Sequence, residues 1–304
     1  MRILNFTLAR NFVRSSYAAL AILFVTTILI SGISPSKTSS NSIKAYADPG
    51  HSVTQPVSTL KNNNLNLNTS STYPSNSTDY YNWSGYAATS SQPFLEVTST
   101  YIQPVVSCPE PGAWTVFWVG FDGFSNNTVE QSGTAAQCSS GTNPTPTYYA
   151  WWEMYPTNGI QEMTIKIKPG NKIQDTVTYN PANSEYSLAV KNLTNGQQFN
   201  QTAVCASDLT CARDSADWIV ERPSISSGYT LLADWKKMTL SSDLAANSTT
   251  TVQNTVTNVM QPVSAFYNTD ITMVNDPYTG ENLATPGSLN KSGKQFTDTW
   301  LNTQ

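Results

Sequence analysis

From Tyr81 onward, apolar and polar residues alternate with a period of two, and this constrains the fold more than any other feature of the chain. The alternation recurs over 115–122, 148–155, 163–168, 173–179, 186–193 and 217–222, with turn signals such as Pro169-Gly-Asn171 and Thr194-Asn-Gly196 between runs. Helical periodicity is scarce. Many short strands at this spacing close a core only as a sandwich or a barrel, so an all-β domain is expected.

Successive side chains of a strand point to opposite sides, which sorts these residues into faces. Phe117, Val119 and Phe121 share an apolar face and read as core, while Trp118, Gly120 and Asp122 share the other. In 151–155, Trp151, Glu153 and Tyr155 lie on one face, opposite Trp152 and Met154; in 217–221, Asp217, Ile219 and Glu221 oppose Trp218 and Val220. Three strands thus present carboxylates and large side chains together. A solvated face would carry Lys, Thr and Ser, and tryptophan is costly to leave in water, so the pattern describes a groove or a second core under a long loop.

Upstream, Arg2, Arg10 and Arg14 precede an apolar run over 18–30 and then Ala45-Tyr-Ala47. Residues 1–47 therefore read as an export signal cleaved after Ala47, giving a secreted protein. The apolar run is shorter than the roughly 20 residues that cross a bilayer, so a membrane partner is expected only if the signal stays uncleaved. Residues 48–78, rich in Asn, Ser, Thr and Pro, read as a disordered linker or propeptide, and 79–304 as one domain. From Asp79 the chain carries ten Lys/Arg against nineteen Asp/Glu, which argues against a nucleic-acid partner. Cys108, Cys138, Cys205 and Cys211 allow three disulfide pairings, of which that between chain neighbours is expected in an exported protein. Asn82, Asn126, Asn192, Asn200 and Asn247 are glycan acceptors by pattern.

The common hydrolytic devices are missing from this sequence. The one histidine, His51, lies in the polar segment ahead of the expected domain, so no Ser-His or Cys-His pair can form inside it. No His-Glu-x-x-His run, Cys/His cluster, Asp-Thr-Gly or Asp-Ser-Gly occurs, and neither a metal nor a cofactor is expected. Carboxylates and amides are left for chemistry.

The chain resembles the glutamic peptidases of the eqolisin family. The resemblance is carried, in family order, by Asn82-Trp-Ser-Gly-Tyr-Ala87, Trp118-Val-Gly-Phe-Asp-Gly123, Glu130-Gln-Ser-Gly133, Ala150-Trp-Trp-Glu-Met-Tyr-Pro156, Asn192-Leu-Thr-Asn-Gly-Gln197 and Ala216-Asp-Trp-Ile-Val-Glu221. It implies an antiparallel β-sandwich of two large bent sheets with the lectin-glucanase (jelly-roll) architecture and the site on the concave face. It also implies the catalytic pair, Gln131 and Glu221, with Trp118, Asp122, Trp151, Glu153 and Tyr155 lining the substrate groove. Glu221 would take a proton from water as it attacks a peptide carbonyl and return it to the leaving nitrogen, while the Gln131 amide stabilises the oxyanion. A pepstatin-insensitive acid endopeptidase acting as a monomer on protein or peptide substrates is the expected function. Arg222 stands where fungal members carry an acidic residue.

Two other readings fit the faces. A glycoside hydrolase would use Glu153 and Glu221 as its two carboxylates, with Trp118 and Trp151 stacked on sugar rings. A carbohydrate-binding sandwich would use the aromatics without catalysis.

Overall fold

A computed structural model describes residues 44–51, 75–247, 259–275 and 280–304. The early strands are β1 (Ser75–Tyr80), β2 (Trp83–Thr89), β3 (Phe94–Ile102), β4 (Trp114–Phe121), β5 (Val129–Cys138), β6 (Pro146–Tyr155) and β7 (Gln161–Met163). There follow β8 (Lys172–Asn180), β9 (Glu185–Asn192), β10 (Gln198–Val204), β11 (Ser215–Glu221), and the two-residue strands β12 (Ser224–Ile225) and β13 (Gly228–Tyr229). The C-terminal part adds β14 (Lys237–Asn247), β15 (Gln261–Pro262), β16 (Tyr267–Val274), β17 (Asn282–Pro286) and β18 (Gln295–Trp300). The expected all-β sandwich is present.

Its two layers are one hydrogen-bonded ladder. The order is β10-β9-β8-β3-β14-β18-β17-β16-β2-β11-β4-β5-β6-β7, so the C-terminal strands splice what the sequence reads as separate sheets. The ladder folds over and packs β4, β5 and β11 against β3, β8 and β9. Phe117, Val119, Phe121, Trp218 and Val220 fill the space between the layers with Val97, Val177, Leu188 and Leu240. Trp218 is fully buried there, and its indole N–H donates to the Thr98 carbonyl oxygen at 2.9 Å, fastening one layer to the other.

The opposite faces of β2, β4, β5, β6 and β11 hold a second buried cluster, including Trp83, Trp118, Ala135, Trp151 and Ile219. Aromatic side chains of this kind each remove about 150–250 Å² from water, so something must cover them. The cover is residues 44–51: Ala45 and Ala47 are buried within the cluster. A groove and a covered second core are therefore the same surface.

This corrects the expectation of a structureless segment over 48–78 at both of its ends. Asp48 through His51 pack on the domain, and β1 begins at Ser75, four residues ahead of the expected start, pairing in parallel with β16. The reason is main-chain hydrogen bonding, which side-chain composition does not report. Residues 52–74 lie outside the described residues, as do residues 1–43 of the signal expected over 1–47. Disulfides join Cys108 to Cys138 and Cys205 to Cys211, with Cα separations of 5.7 and 6.0 Å, the pairing expected for chain neighbours. The first ties the loop after β3 to the end of β5, and the second closes the loop ahead of β11.

Candidate active site

Register brings the expected residues onto one face. Gln131 on β5 lies directly opposite Glu153 on β6 and Gly120 on β4, while Trp118 faces Gly133 on β5 and Ile219 on β11. Glu221 ends β11 opposite Val116 and Trp83. Trp118 thus stands in the row between the carboxamide and the carboxyl, and its indole N–H donates to Glu221 Oε2 at 2.9 Å. Gly120 keeps the neighbourhood open: a Cβ there would stand 2.9 Å from that of Gln131 and 2.8 Å from the Glu130 carbonyl oxygen.

The other Glu221 oxygen accepts from Asn82 Nδ2 at 3.2 Å. Asn82 and its neighbour Trp83 reach further, to the covering segment. Asn82 Nδ2 also donates to the Asp48 and Pro49 carbonyl oxygens at 3.2 and 3.1 Å, and the Trp83 indole N–H donates to Asp48 O at 3.0 Å. Gln131 Nε2 donates to the Ala47 carbonyl oxygen, and the Ala47 N–H donates to Glu153 Oε2 at 2.9 Å. Tyr155 sets its ring edge-to-face on Tyr46, 5.9 Å between centroids. Trp151 packs, fully buried, in the same cluster.

Burial raises the Glu221 carboxyl well above the usual range, and the negative charges of Asp48 and Glu153 add to this, while the Trp118 and Asn82 donors oppose it. Glu153 is likewise raised by burial, against the donation from Ala47 N–H. Among the described residues no cation neutralises the pair. Arg222 places its guanidinium over the Tyr229 ring and donates to Tyr81 O, and Arg213 lies over Tyr179 and donates to Phe94 O.

Asp122 departs from its expected place. Its φ of +68° breaks the strand alternation, and the carboxylate turns to accept from the backbone N–H groups of Arg213 and Asp214 at 2.8 and 2.9 Å and from Asn126 Nδ2 at 2.9 Å. It pins the loop ahead of β11 and touches neither Gln131 nor Glu221. His51, read as lying apart from the domain, contacts it: its Nδ1 lies 2.6 Å from the Tyr229 hydroxyl. Asn82 and Asn192 are fully buried with their Nδ2 groups engaged, so neither is a glycan acceptor in this fold. Asn82 and Trp83 are the site residues that sequence reasoning missed, although both sit in a motif that carries the resemblance.

Beyond Trp118 the same face continues into an open cavity of about 490 Å³ lined by Trp114, Gln137, Tyr149, Glu162, Ile225 and Thr230. The arrangement holds an extended peptide with one carbonyl on a carboxamide donor beside a carboxyl that can move protons. Fold and site define a β-sandwich of the glutamic-peptidase class. Residues 81–279, more than half of the chain, match the Peptidase A4 family, and the chain belongs to that family. It is 31% identical over 140 residues to Scytalidopepsin B of Scytalidium lignicola, a match spanning 46% of this chain and about half, 51%, of that protein. Among solved structures, scytalido-glutamic peptidase with a transition state analog inhibitor is similar in fold, with a TM-score of 0.58 and 21% identity, covering 73% of this chain and 98% of that one. SCP-B, a member of the eqolisin family in complex with the tripeptide Ala-Ile-His, matches with a TM-score of 0.55 and 20% identity over the same shares.

Proposed function

We propose that this chain is an exported acid endopeptidase in which Glu221 is general base and then general acid, and Gln131 stabilises the oxyanion. The observation that carries the reading is the Gln131 Nε2 donation to a peptide carbonyl oxygen, that of Ala47, while Asn82 Nδ2 joins the carbonyl oxygen of the next residue, Asp48, to Glu221 Oε1. A carboxamide donor held at that oxygen gains strength as the oxygen becomes negative. Glu221 ionised takes a proton from the attacking water, and Glu221 protonated returns it to the leaving nitrogen. Trp118 and Asn82 hold both of its oxygens, and Trp118, Trp151 and Tyr155 give the peptide an apolar floor. Glu153 accepts a backbone N–H, a group that peptides have and sugar rings lack, which favours a peptide over a glycoside as the ligand.

The carboxyl must be ionised to act as a base yet acidic enough to return the proton, so an acid optimum is expected once residues 44–51 leave the site and the burial that raises Glu221 is relieved. The test is cleavage of a denatured protein from pH 2 to 7 with pepstatin present, beside Glu221→Gln and Gln131→Ala. Pepstatin-resistant acid proteolysis that disappears in both variants supports the reading. Absence of proteolysis by the folded, disulfide-complete protein, or full activity in Glu221→Gln, overturns it.

A further inference from the structure

Glu130 stands one residue before Gln131 on the opposite face of β5, wholly buried, with Phe121 of β4 and Met154 of β6 beside it in the ladder. Its carboxyl is in hydrogen-bond contact with that of Asp122, and a hydrogen bond between two carboxyls needs a proton. The surroundings decide which one carries it. Asp122 accepts from the Arg213 and Asp214 N–H groups and from Asn126 Nδ2, all donors that favour a charged acceptor. Glu130 accepts from no N–H group among the described residues. Glu130 is therefore the acid, and its O–H donates to the Asp122 carboxylate. Burial raises the Glu130 carboxyl well above the usual range and the Asp122 charge adds to this, with the Thr128 hydroxyl and Arg213 opposing. Arg213 is the cation facing the pair; it lies 3.6 Å over the Tyr179 ring and donates to Phe94 O at 3.1 Å and to the neutral Tyr186 hydroxyl at 3.4 Å. Asp214, bonded to Ser125 and Asn126, and the buried Asp217, bonded to Ser215, bring two further carboxyls to the same end of β11.

The pair sits where three strands of the site are joined. Asp122 follows the last residue of β4, and its N–H donates to Ser215 O of β11 at 3.3 Å. Two residues back, Gly120 lies opposite Gln131 on one side and Asp217 on the other. We propose that the Glu130 acid is a positioning residue: its hydrogen bond to Asp122 ties β5 to β4 and β11 beside Gln131, and loss of its proton sets the upper pH limit of the enzyme. Once that proton passes to water, two carboxylates face each other at hydrogen-bond distance away from solvent, where like charges repel most. The repulsion falls on β5 at residue 130 and on the turn through Asn126, so the carboxamide at 131 shifts. Glu221, at the far end of β11, keeps Trp118 and Asn82. Glu130 binds its proton more tightly folded than unfolded, so the contribution is complete below the unfolded value of about 4 and is lost as pH rises through the folded one. A fall in kcat with KM retained is the signature, because an oxyanion donor acts in the transition state. That signature rests on the peptidase reading of Gln131 and Glu221; the proton-held clamp does not.

The folded, disulfide-complete protein is compared with Glu130→Gln and Glu130→Leu from pH 3 to pH 8. Two readouts are taken: kcat and KM on a peptide substrate, and amide hydrogen exchange at Arg213 and Asp214, corrected for its intrinsic pH dependence. In the unsubstituted protein exchange should rise and kcat fall over the same pH interval, with KM within about twofold. In Glu130→Gln the new amide donates to Asp122 at every pH. Its kcat should match within about twofold at acid pH, its exchange should stay level, and its upper limit should move up by about one pH unit or more. Glu130→Leu removes donor and charge together, so its exchange should lose the pH-dependent rise while kcat drops on the order of tenfold throughout. A role in packing alone predicts lower stability with the pH limit and the exchange profile unchanged in both variants, and that result overturns the inference while leaving the peptidase reading standing. So does exchange that stays level in the unsubstituted protein, a result that needs no variant to fold. A rise in exchange that Glu130→Gln abolishes, with no proteolysis at any pH, supports the clamp and overturns the peptidase reading on which its catalytic effect rests.

Discussion

Two sets of buried carboxyls share one degree of burial and differ in their partners. In the outer-face set, Glu153 and Glu221 accept from N–H groups: an indole, a carboxamide and the main chain of residues 44–51. In the interior set, Asp175 accepts from the Tyr101 hydroxyl at 2.7 Å, Asp298 from Ser84 Oγ at 2.6 Å, and Asp243 from Ser99 Oγ. An N–H only donates and so favours the charged acceptor, whereas a hydroxyl donates or accepts and suits a neutral acid equally well. The partners of the first set favour its charged form and those of the second suit its neutral form, against a burial that raises both. The outer set is also dry only while residues 44–51 cover it, whereas the interior set is dried by the fold itself.

The sharpest separation is in activity. Glu221→Gln or Gln131→Ala should lower kcat/KM on a denatured protein by a factor on the order of 10³, the size expected for loss of a general base or an oxyanion donor. Asp298→Asn, which keeps the hydrogen bond to Ser84, should leave kcat/KM within about twofold at acid pH, since surrounding packing is preserved. An equal loss in both would erase the distinction.

The next effect lies in stability. Burial raises Asp175 and Asp243 well above the usual range and pushes Asp298 up to about 7. Each carboxyl binds its proton more tightly folded than unfolded, so its contribution is complete below the unfolded value of about 4 and is lost as pH rises through the folded one. Each tenfold gain in proton affinity on folding is worth about 1.4 kcal/mol, so the melting temperature should fall by several degrees or more between pH 4 and pH 8. Asp298→Asn should flatten that slope. A melting temperature that is level or rising toward pH 8 would break the comparison.

Smaller effects probe the outer set. Trp118→Phe removes a donor to Glu221 and so disfavours its ionised form, moving the acidic limb of the kcat/KM profile to higher pH with a loss of about tenfold. Glu153→Gln keeps an acceptor for a substrate N–H, and a several-fold rise in KM with most of kcat retained is expected. Hydrolysis of a glycan that is lost in Glu153→Gln and kept in Gln131→Ala would instead favour the two-carboxylate glycosidase arrangement.

Period-two alternation made the strands and both faces of β4, β6 and β11 legible, because a strand obliges neighbours to opposite sides. Asp122 was misplaced where a single left-handed residue broke that obligation. Residues 44–51, divided in the sequence between the export signal and the linker, were not read as a cover because backbone groups, shared by every sequence, bind them. Asn82 was hidden in a glycan pattern, and the alternation gave no reason to single out Asp175 and Asp298, which stand in phase with the apolar residues Ile173, Val177 and Phe296. The single ladder could not be anticipated from local pattern, since it joins strands that are remote in the chain.

That ladder carries a consequence for biosynthesis. The strands β16, β17 and β18 lie in its middle, between β2 and β14, yet the ribosome makes them last. Until they arrive, β2 and β14 each present an unpaired row of backbone groups, the kind of edge that recruits other chains into aggregates. A chain terminated before Gln295 would lack the splice and keep two open edges, so loss of about ten residues at the C-terminus should be read out as insolubility rather than as a smaller working enzyme.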